Sequence, residues 1–372
     1  MGLLPLHADP GDAIAPLIGW RYVTAWTWNW VAGVLILAAL GLYLAGVVKL
    51  RRRGDAWPVL RIVSWVVAMA FLTVATMGFL GVYDTVLFWV HMVQHMILTM
   101  FAGVNIAQAA PVTLALRTLP SRPRGWLVAV LHSWVARVLL FPPLNTLMMV
   151  GYPFALYMSD LYGITLRNDW AHDLMHTWMI WIGVAFFVPI LGVDPLPNKL
   201  PHPIRLLLVL LQMPGHAFIG VTIMGATRLI AEDWYLSFDR QWGISPMDDQ
   251  YWAGAILWAT GDLTMISVMS ALAVSWYRDS QREAVRIDRA LDREEALAAK
   301  RAASAAAQEA GVPQPPGVSQ PPGVSQPPGV SGDPDAVGDQ SGPADQRYDA
   351  ERYDAAKGSA PTITQPSSDA AH

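Results

Sequence analysis

Residues 86–108 read VLFWVHMVQHMILTMFAGVNIAQ, a run without Asp, Glu, Lys or Arg. About 20 apolar residues in helical form span ~30 Å, the hydrocarbon thickness of a bilayer. An imidazole inside such a run costs free energy and marks function more often than packing. His91 and His95 are four positions apart, so their side chains lie one helical turn apart on the same face. A second apolar run repeats the arrangement with His172 and His176.

Further apolar runs lie at roughly 28–48, 59–81, 139–158, 171–192, 204–226 and 252–275. The chain is 53% hydrophobic and 15% charged, with a mean hydropathy of +0.33, even though its last fifth is a polar tail. The expected fold is therefore all-α: a polytopic membrane protein whose domain, residues 26–277, is a bundle of seven transmembrane helices. Trp26, Trp28, Trp30, Trp57, Trp170, Trp234, Trp252 and Trp276 fall near the predicted ends, where interfacial aromatic belts sit. Lys49, Arg51–Arg53, Arg117, Arg122, Arg124, Lys199, Arg205, Arg278 and Arg282 crowd one set of loops; the other set holds Arg21, Arg167, Arg228 and Arg240. By the positive-inside rule the first set is cytoplasmic, which puts the N-terminal segment 1–25 outside and the C-terminus inside. Residues 126–158 contain Arg137 and the pair Pro142 and Pro143. At 1.5 Å per residue this stretch reaches only about 50 Å, enough for one crossing preceded by a helix on the inner surface. Residues 278–301 read as a charged cytoplasmic helix, with Asp279/Arg282 and Glu283/Arg286 three apart. Residues 302–372, where Gln-Pro-Pro-Gly-Val-Ser occurs three times at 314–331, read as a disordered Pro/Gly/Ser-rich tail. The lipid bilayer is an expected partner; nucleic acid is not.

With this topology the histidines converge in depth. His91, His95, His172 and His176 lie within about 14 Å of the outer face, and His216 lies roughly 15 Å below it. Five imidazoles from three helices in the outer leaflet point to a metal site. Neither pair can straddle a haem from a single helix. His172, Met175, His176 and Met179 form one stripe at i, i+3, i+4 and i+7, and thioether sulfur selects Cu(I) over zinc. The expected ligands are thus His91, His95, His172, His176, His216, Met175 and Met179, for copper as Cu(I), with zinc the less favoured ion. Methionine also fills gaps in helical cores, so the stripe carries a packing reading beside the ligand reading. Gln94 shares a face with His91 and His95 and is placed to orient one of them; Asp173 follows His172 and is placed to support the ligands. Asp262, in the middle of the last run, needs a partner or water. The absence of cysteine excludes thiolate chaperone sites and iron–sulfur clusters.

His91-Met92-Val93-Gln94-His95-Met96, His172-Asp173-Leu174-Met175-His176 and Pro214-Gly215-His216, with Asp249-Gln250-Tyr251-Trp252-Ala253-Gly254 opening the last helix, resemble the CtaG family of bacterial cytochrome c oxidase assembly factors, the multi-span type associated with caa oxidases. The resemblance spans roughly residues 20–278. It implies a multi-pass protein of the bacterial cytoplasmic membrane and a role in assembly rather than catalysis. The partners it implies are oxidase subunits and an extracytoplasmic copper donor. Mixed imidazole and thioether ligands suit an ion that is held and handed on, with the outer loop at 227–250 meeting the partner. Two rival classes remain: an intramembrane zinc-dependent hydrolase, with Asp262 as its extra acid, and a copper importer or resistance protein.

Overall fold

The structure, a computed structural model, describes residues 15–196, 200–238 and 240–309. Every regular element among them is a helix. The chain divides into two units at 299/300, and the described part of the second is the last stretch of the C-terminal helix. The expected tail lies almost wholly outside the described residues, as does the start of the N-terminal segment.

The first long helix, α1 (Trp30–Arg52), begins where the Asn29 side chain accepts from the Ala32 backbone N–H at 3.0 Å. It ends on Lys49, Arg51 and Arg52, cations favoured at the negative end of a helix dipole. Helix α2 (Val59–Met77) returns to the starting end, where Thr27 N–H reaches the Met77 carbonyl at 2.9 Å. A short helix, Phe79–Tyr83, and a tight turn then lead into one rod built of α3 (Phe88–Met96), a π-helical turn Ile97–Phe101 and α4 (Ala102–Ala109). Tyr43 fastens α1 to this rod, donating to the Ala109 carbonyl at 2.8 Å while stacked on Trp65 of α2.

Three short helices, Pro111–Thr118, Ser121–His132 and Trp134–Leu139, precede α5 (Pro142–Tyr157). Helices α6 (Asp169–Leu191), α7 (His202–Met224) and α8 (Pro246–Glu309) complete the bundle. Sixty-one per cent of the apolar window of α6 lies inside the protein against 17% for α1, so α6 is the central helix and α1 a peripheral one. Helix α8 merges the expected last crossing with the expected charged helix, since no Gly or Pro separates them between Gly261 and Glu309.

Among the described residues, six helices are long and apolar enough to cross a membrane: Trp30–Arg52, Val59–Tyr83, Phe88–Thr118, Asp169–Leu191, His202–Met224 and Pro246–Ala306. The remaining expected crossing is α5, whose 16 residues reach only about 24 Å. It is nevertheless held inside the bundle: Asn145 Nδ2 donates to the Ala185 carbonyl of α6 at 2.8 Å.

Small residues set the two crossings that matter for the interior. A Cβ on Gly183 of α6 would overlap the Thr99 carbonyl, and one on Gly103 would meet Gly183 at 2.9 Å. Backbone therefore touches backbone where α6 crosses the π-helical turn, as small residues permit between helices in lipid. This crossing lies one to two turns from His95 and from His176, and so brings the faces that carry the two histidine pairs together. Gly220 and Gly254 do the same for α7 and α8, where a Cβ on either would fall within 2.8 Å of the other's carbonyl oxygen.

Candidate metal centre

The turn Asp84–Leu87 is closed by Val86 and Leu87 N–H bonds to the Tyr83 carbonyl, at 3.1 and 2.9 Å. It turns the Asp84 side chain into the bundle, where the residue is fully buried. Asp249 of α8 caps the following helix, accepting from Phe88 N–H at 3.1 Å and Trp89 N–H at 2.8 Å. Arg240 stands 3.8 Å from the same carboxylate. The cap fixes the start of α3, and with it the direction in which His91 and Gln94 project.

Around Asp84 Oδ2 three side chains from two helices gather. Gln94 Nε2 donates at 3.1 Å and also reaches the Ala75 carbonyl at 2.8 Å. His172 Nε2 lies at 3.0 Å and His176 Nε2 at 3.6 Å. The two imidazoles meet edge to face, centroids 4.4 Å apart. One ligating atom from each of Asp84, His172 and His176 can be chosen so that all lie within 4.8 Å of one another, and all three residues are buried. Ligands placed 2.0–2.1 Å from one ion in tetrahedral array stand about 3.4 Å apart, so these spacings fit an ion with little movement. Asp84 Oδ1 is buried and has no hydrogen-bond partner among the described residues, an acceptor that a cation would satisfy.

The other expected ligands are arranged differently. Tyr157, at the end of α5, places its hydroxyl 3.0 Å from His91 Nε2 and 2.8 Å from His95 Nδ1. One phenol thus bridges the first histidine pair, which forms a layer behind the carboxylate group: the His91 and His172 rings are 6.3 Å apart. Tyr162 packs on His91 at 4.8 Å, and its hydroxyl meets that of Tyr235 at 2.7 Å. His216 is buried with Nδ1 3.1 Å from Gln212 Nε2, and a Cβ at Gly261 of α8 would meet its ring at 3.1 Å. Met175 and Met179 are buried in the same apolar cluster as Phe88, Met92 and Met96.

Two expected supporting roles change hands. Gln94 does not orient a histidine; its amide goes to Asp84. Asp173 is exposed and stands outside the group of three ligating residues, since its neighbour His172 holds the buried face of α6. Asp262 accepts from Trp258 Nε1 at 2.8 Å, one turn away on α8.

The two residues that sequence reasoning passed over are Asp84 and Tyr157. A signal for the first exists: Asp84 is the only acidic residue between Asp55 and Asp160, and it sits between two apolar runs.

Comparison with known proteins adds a family. A family model described as "Cytochrome c oxidase caa3 assembly factor (Caa3_CtaG)" matches residues 41–279. The chain is also similar to "Uncharacterized protein ML1998" of Mycobacterium leprae, 36% identical over 280 residues, covering 73% of this chain and 42% of that protein. "Uncharacterized protein Mb0105" of Mycobacterium bovis is 36% identical over 284 residues, covering 74% of this chain and 43% of its own. The chain therefore spans less than half the length of these relatives. No solved structure matches it.

Proposed function

Because the chain belongs to the cytochrome c oxidase caa3 assembly factor family, we propose that it serves oxidase assembly by holding copper in the outer leaflet of the bacterial cytoplasmic membrane and passing it to an oxidase subunit. The carrying observation is the buried group of Asp84, His172 and His176, with ligating atoms from each within 4.8 Å of one another. Two imidazoles and a carboxylate oxygen suit Cu(II) and Zn(II), a harder set than the imidazole and thioether ligands expected from the sequence. Asp84, His172 and His176 would hold copper as Cu(II). Met175 and Met179, on the same helix stripe, would supply thioether sulfur of the kind that suits Cu(I).

In this reading α5 is the seventh crossing, shortened because it packs against protein on α6 and α7, and the N-terminus lies outside. The starts of α1, α3, α6 and α8 share one end of the bundle, held by the Thr27–Met77 and Asp249–Phe88 hydrogen bonds and the His172–Asp84 pair. That end faces the extracytoplasmic side, where the donor and the oxidase copper sites are met. His91, His95 and His216 stand behind the ion, and Tyr157 keeps the first two from rotating. Handing on needs exchangeable ligands, and a three-ligand set leaves room for an incoming ligand from the partner.

The same ligand count supports one rival, since catalytic zinc also uses three protein ligands and an open position. Metal analysis of purified protein separates them. The transfer reading expects copper in the wild type, lost in the His172→Ala/His176→Ala double variant together with oxidase activity, at unchanged protein abundance. Zinc without copper, or intact oxidase activity in the variant, overturns it.

A further inference from the structure

A cavity of about 400 Å³ opens between α1, α2, α4 and α6, and its lining includes both Asp84 and His176. We propose that this lateral cavity is the route by which the metal ion enters and leaves the buried centre, with Asp173 as the relay ligand at its mouth. The proposal rests on the metal-holding reading above and adds the path.

Among the described residues, the turn that carries Asp84 is covered at the end of the bundle. Helix Glu232–Tyr235 lies over the turn that carries Asp84: Trp234 Nε1 donates to the Thr85 carbonyl at 2.8 Å, and Tyr235 bonds Tyr162. Both aromatic residues are buried. The cavity instead reaches Asp84 and His176 from beside α1 and α2. One wall is α1, which has the smallest buried share among the six long apolar helices.

Most of the lining is apolar, and its polar members are Asn29, Thr76, Asp84, Gln94, Asp173, His176 and Thr177. Asn29 caps the start of α1, and Asp173 lies about 6 Å inside the start of α6, so the polar lining begins near the headgroup level. Asp173 precedes His176 by three positions, so an ion released by one is within a helical turn of the other. Asp173 is exposed where the inner acceptors are buried. Asp84 Oδ1 and Gln94 Oε1, both buried and without hydrogen-bond partners among the described residues, are oxygen acceptors that draw a cation inward. An exposed carboxylate outside, a ring nitrogen at mid-path and a buried carboxylate within give a graded set of ligands suited to stepwise exchange. A carboxylate at the mouth also raises the local cation concentration.

The test follows copper uptake and release by the detergent-purified full chain, read by quenching of tryptophan fluorescence on mixing with Cu(II) and by recovery on mixing with a chelator. Removing one charge about 4 Å from the passing divalent ion in a water-like mouth should slow both steps by roughly 30-fold. Asp173→Asn should therefore slow uptake and release alike and leave the final copper-to-protein ratio unchanged. Asp173→Glu should restore the rates. Asp160→Asn, which removes an exposed acid outside the cavity, should leave them alone. Wild-type rates in Asp173→Asn, or equal slowing in Asp160→Asn, would overturn the route while leaving the metal centre standing. A wild-type chain that takes up no copper would remove the metal reading itself.

Discussion

Asp84→Asn removes one negative charge from the centre and almost no volume. The carboxylate serves His172 at 3.0 Å and Gln94 at 3.1 Å through a single oxygen, and the side-chain amide oxygen of the variant can still accept from both. In the metal-free chain the change is therefore mild. Neutralising a buried charge lifts its desolvation penalty, which offsets the weakening of two charge-assisted hydrogen bonds worth ~1.5–3 kcal/mol each. Metal binding responds far more strongly. Loss of a group that merely supports a ligand lowers affinity about 10–100-fold, and an anionic ligand bonded to the ion should exceed the upper figure, ~2.7 kcal/mol or more. The assay is a copper competition titration on purified wild type and variant, run beside a thermal melt of the metal-free forms. The expected result is a Kd raised at least about 100-fold, with a melting temperature within a few degrees of wild type. An unchanged Kd would refute the role of Asp84 as a ligand. A collapse of the melting temperature with Kd would show that the carboxylate serves the fold instead.

Three further outcomes follow from the geometry. Tyr157→Phe deletes the hydroxyl shared by His91 and His95 and should destabilise the chain by ~1–3 kcal/mol, read in a thermal melt, with copper affinity falling less than in Asp84→Asn. Gly183→Val drives a branched side chain into the Thr99 backbone; overpacking of ~1–3 kcal/mol or more should cut membrane-inserted protein on an immunoblot and take copper down in proportion. Asp249→Ala uncaps α3 at Phe88 and Trp89 and should cost ~0.5–2 kcal/mol, with faster amide exchange confined to that helix start.

The apolar runs were legible because a membrane helix announces itself by length and composition, and six of the seven expected crossings correspond to helices of sufficient length. The seventh expected crossing corresponds to a helix of only 16 residues, which Pro142 and Pro143 start and do not break. The i,i+4 spacing told which residues share a face on α3 and on α6. It could not tell how the two helices are rotated toward each other, and that rotation decides that His172 and His176 meet a carboxylate while His91 and His95 meet a phenol. Asp84 was hidden for a related reason. An acid in a turn between two helices reads as loop chemistry, and its partner His172 is 88 positions away. Gly183 and Gly103, which bring those faces together, carry no periodic signal at all. The segment 227–250 carries Trp234 and Tyr235, which are buried, Trp234 on the Thr85 carbonyl and Tyr235 on Tyr162.

The measurement closest to the central claim is X-ray absorption at the copper edge on the purified, copper-loaded chain, compared with the His172→Ala/His176→Ala variant. The account predicts a first coordination shell of nitrogen and oxygen at ~2.0 Å with the outer-shell scattering of two imidazole rings, lost in the variant. A shell without imidazole, or a spectrum that the two substitutions leave unchanged, would contradict it.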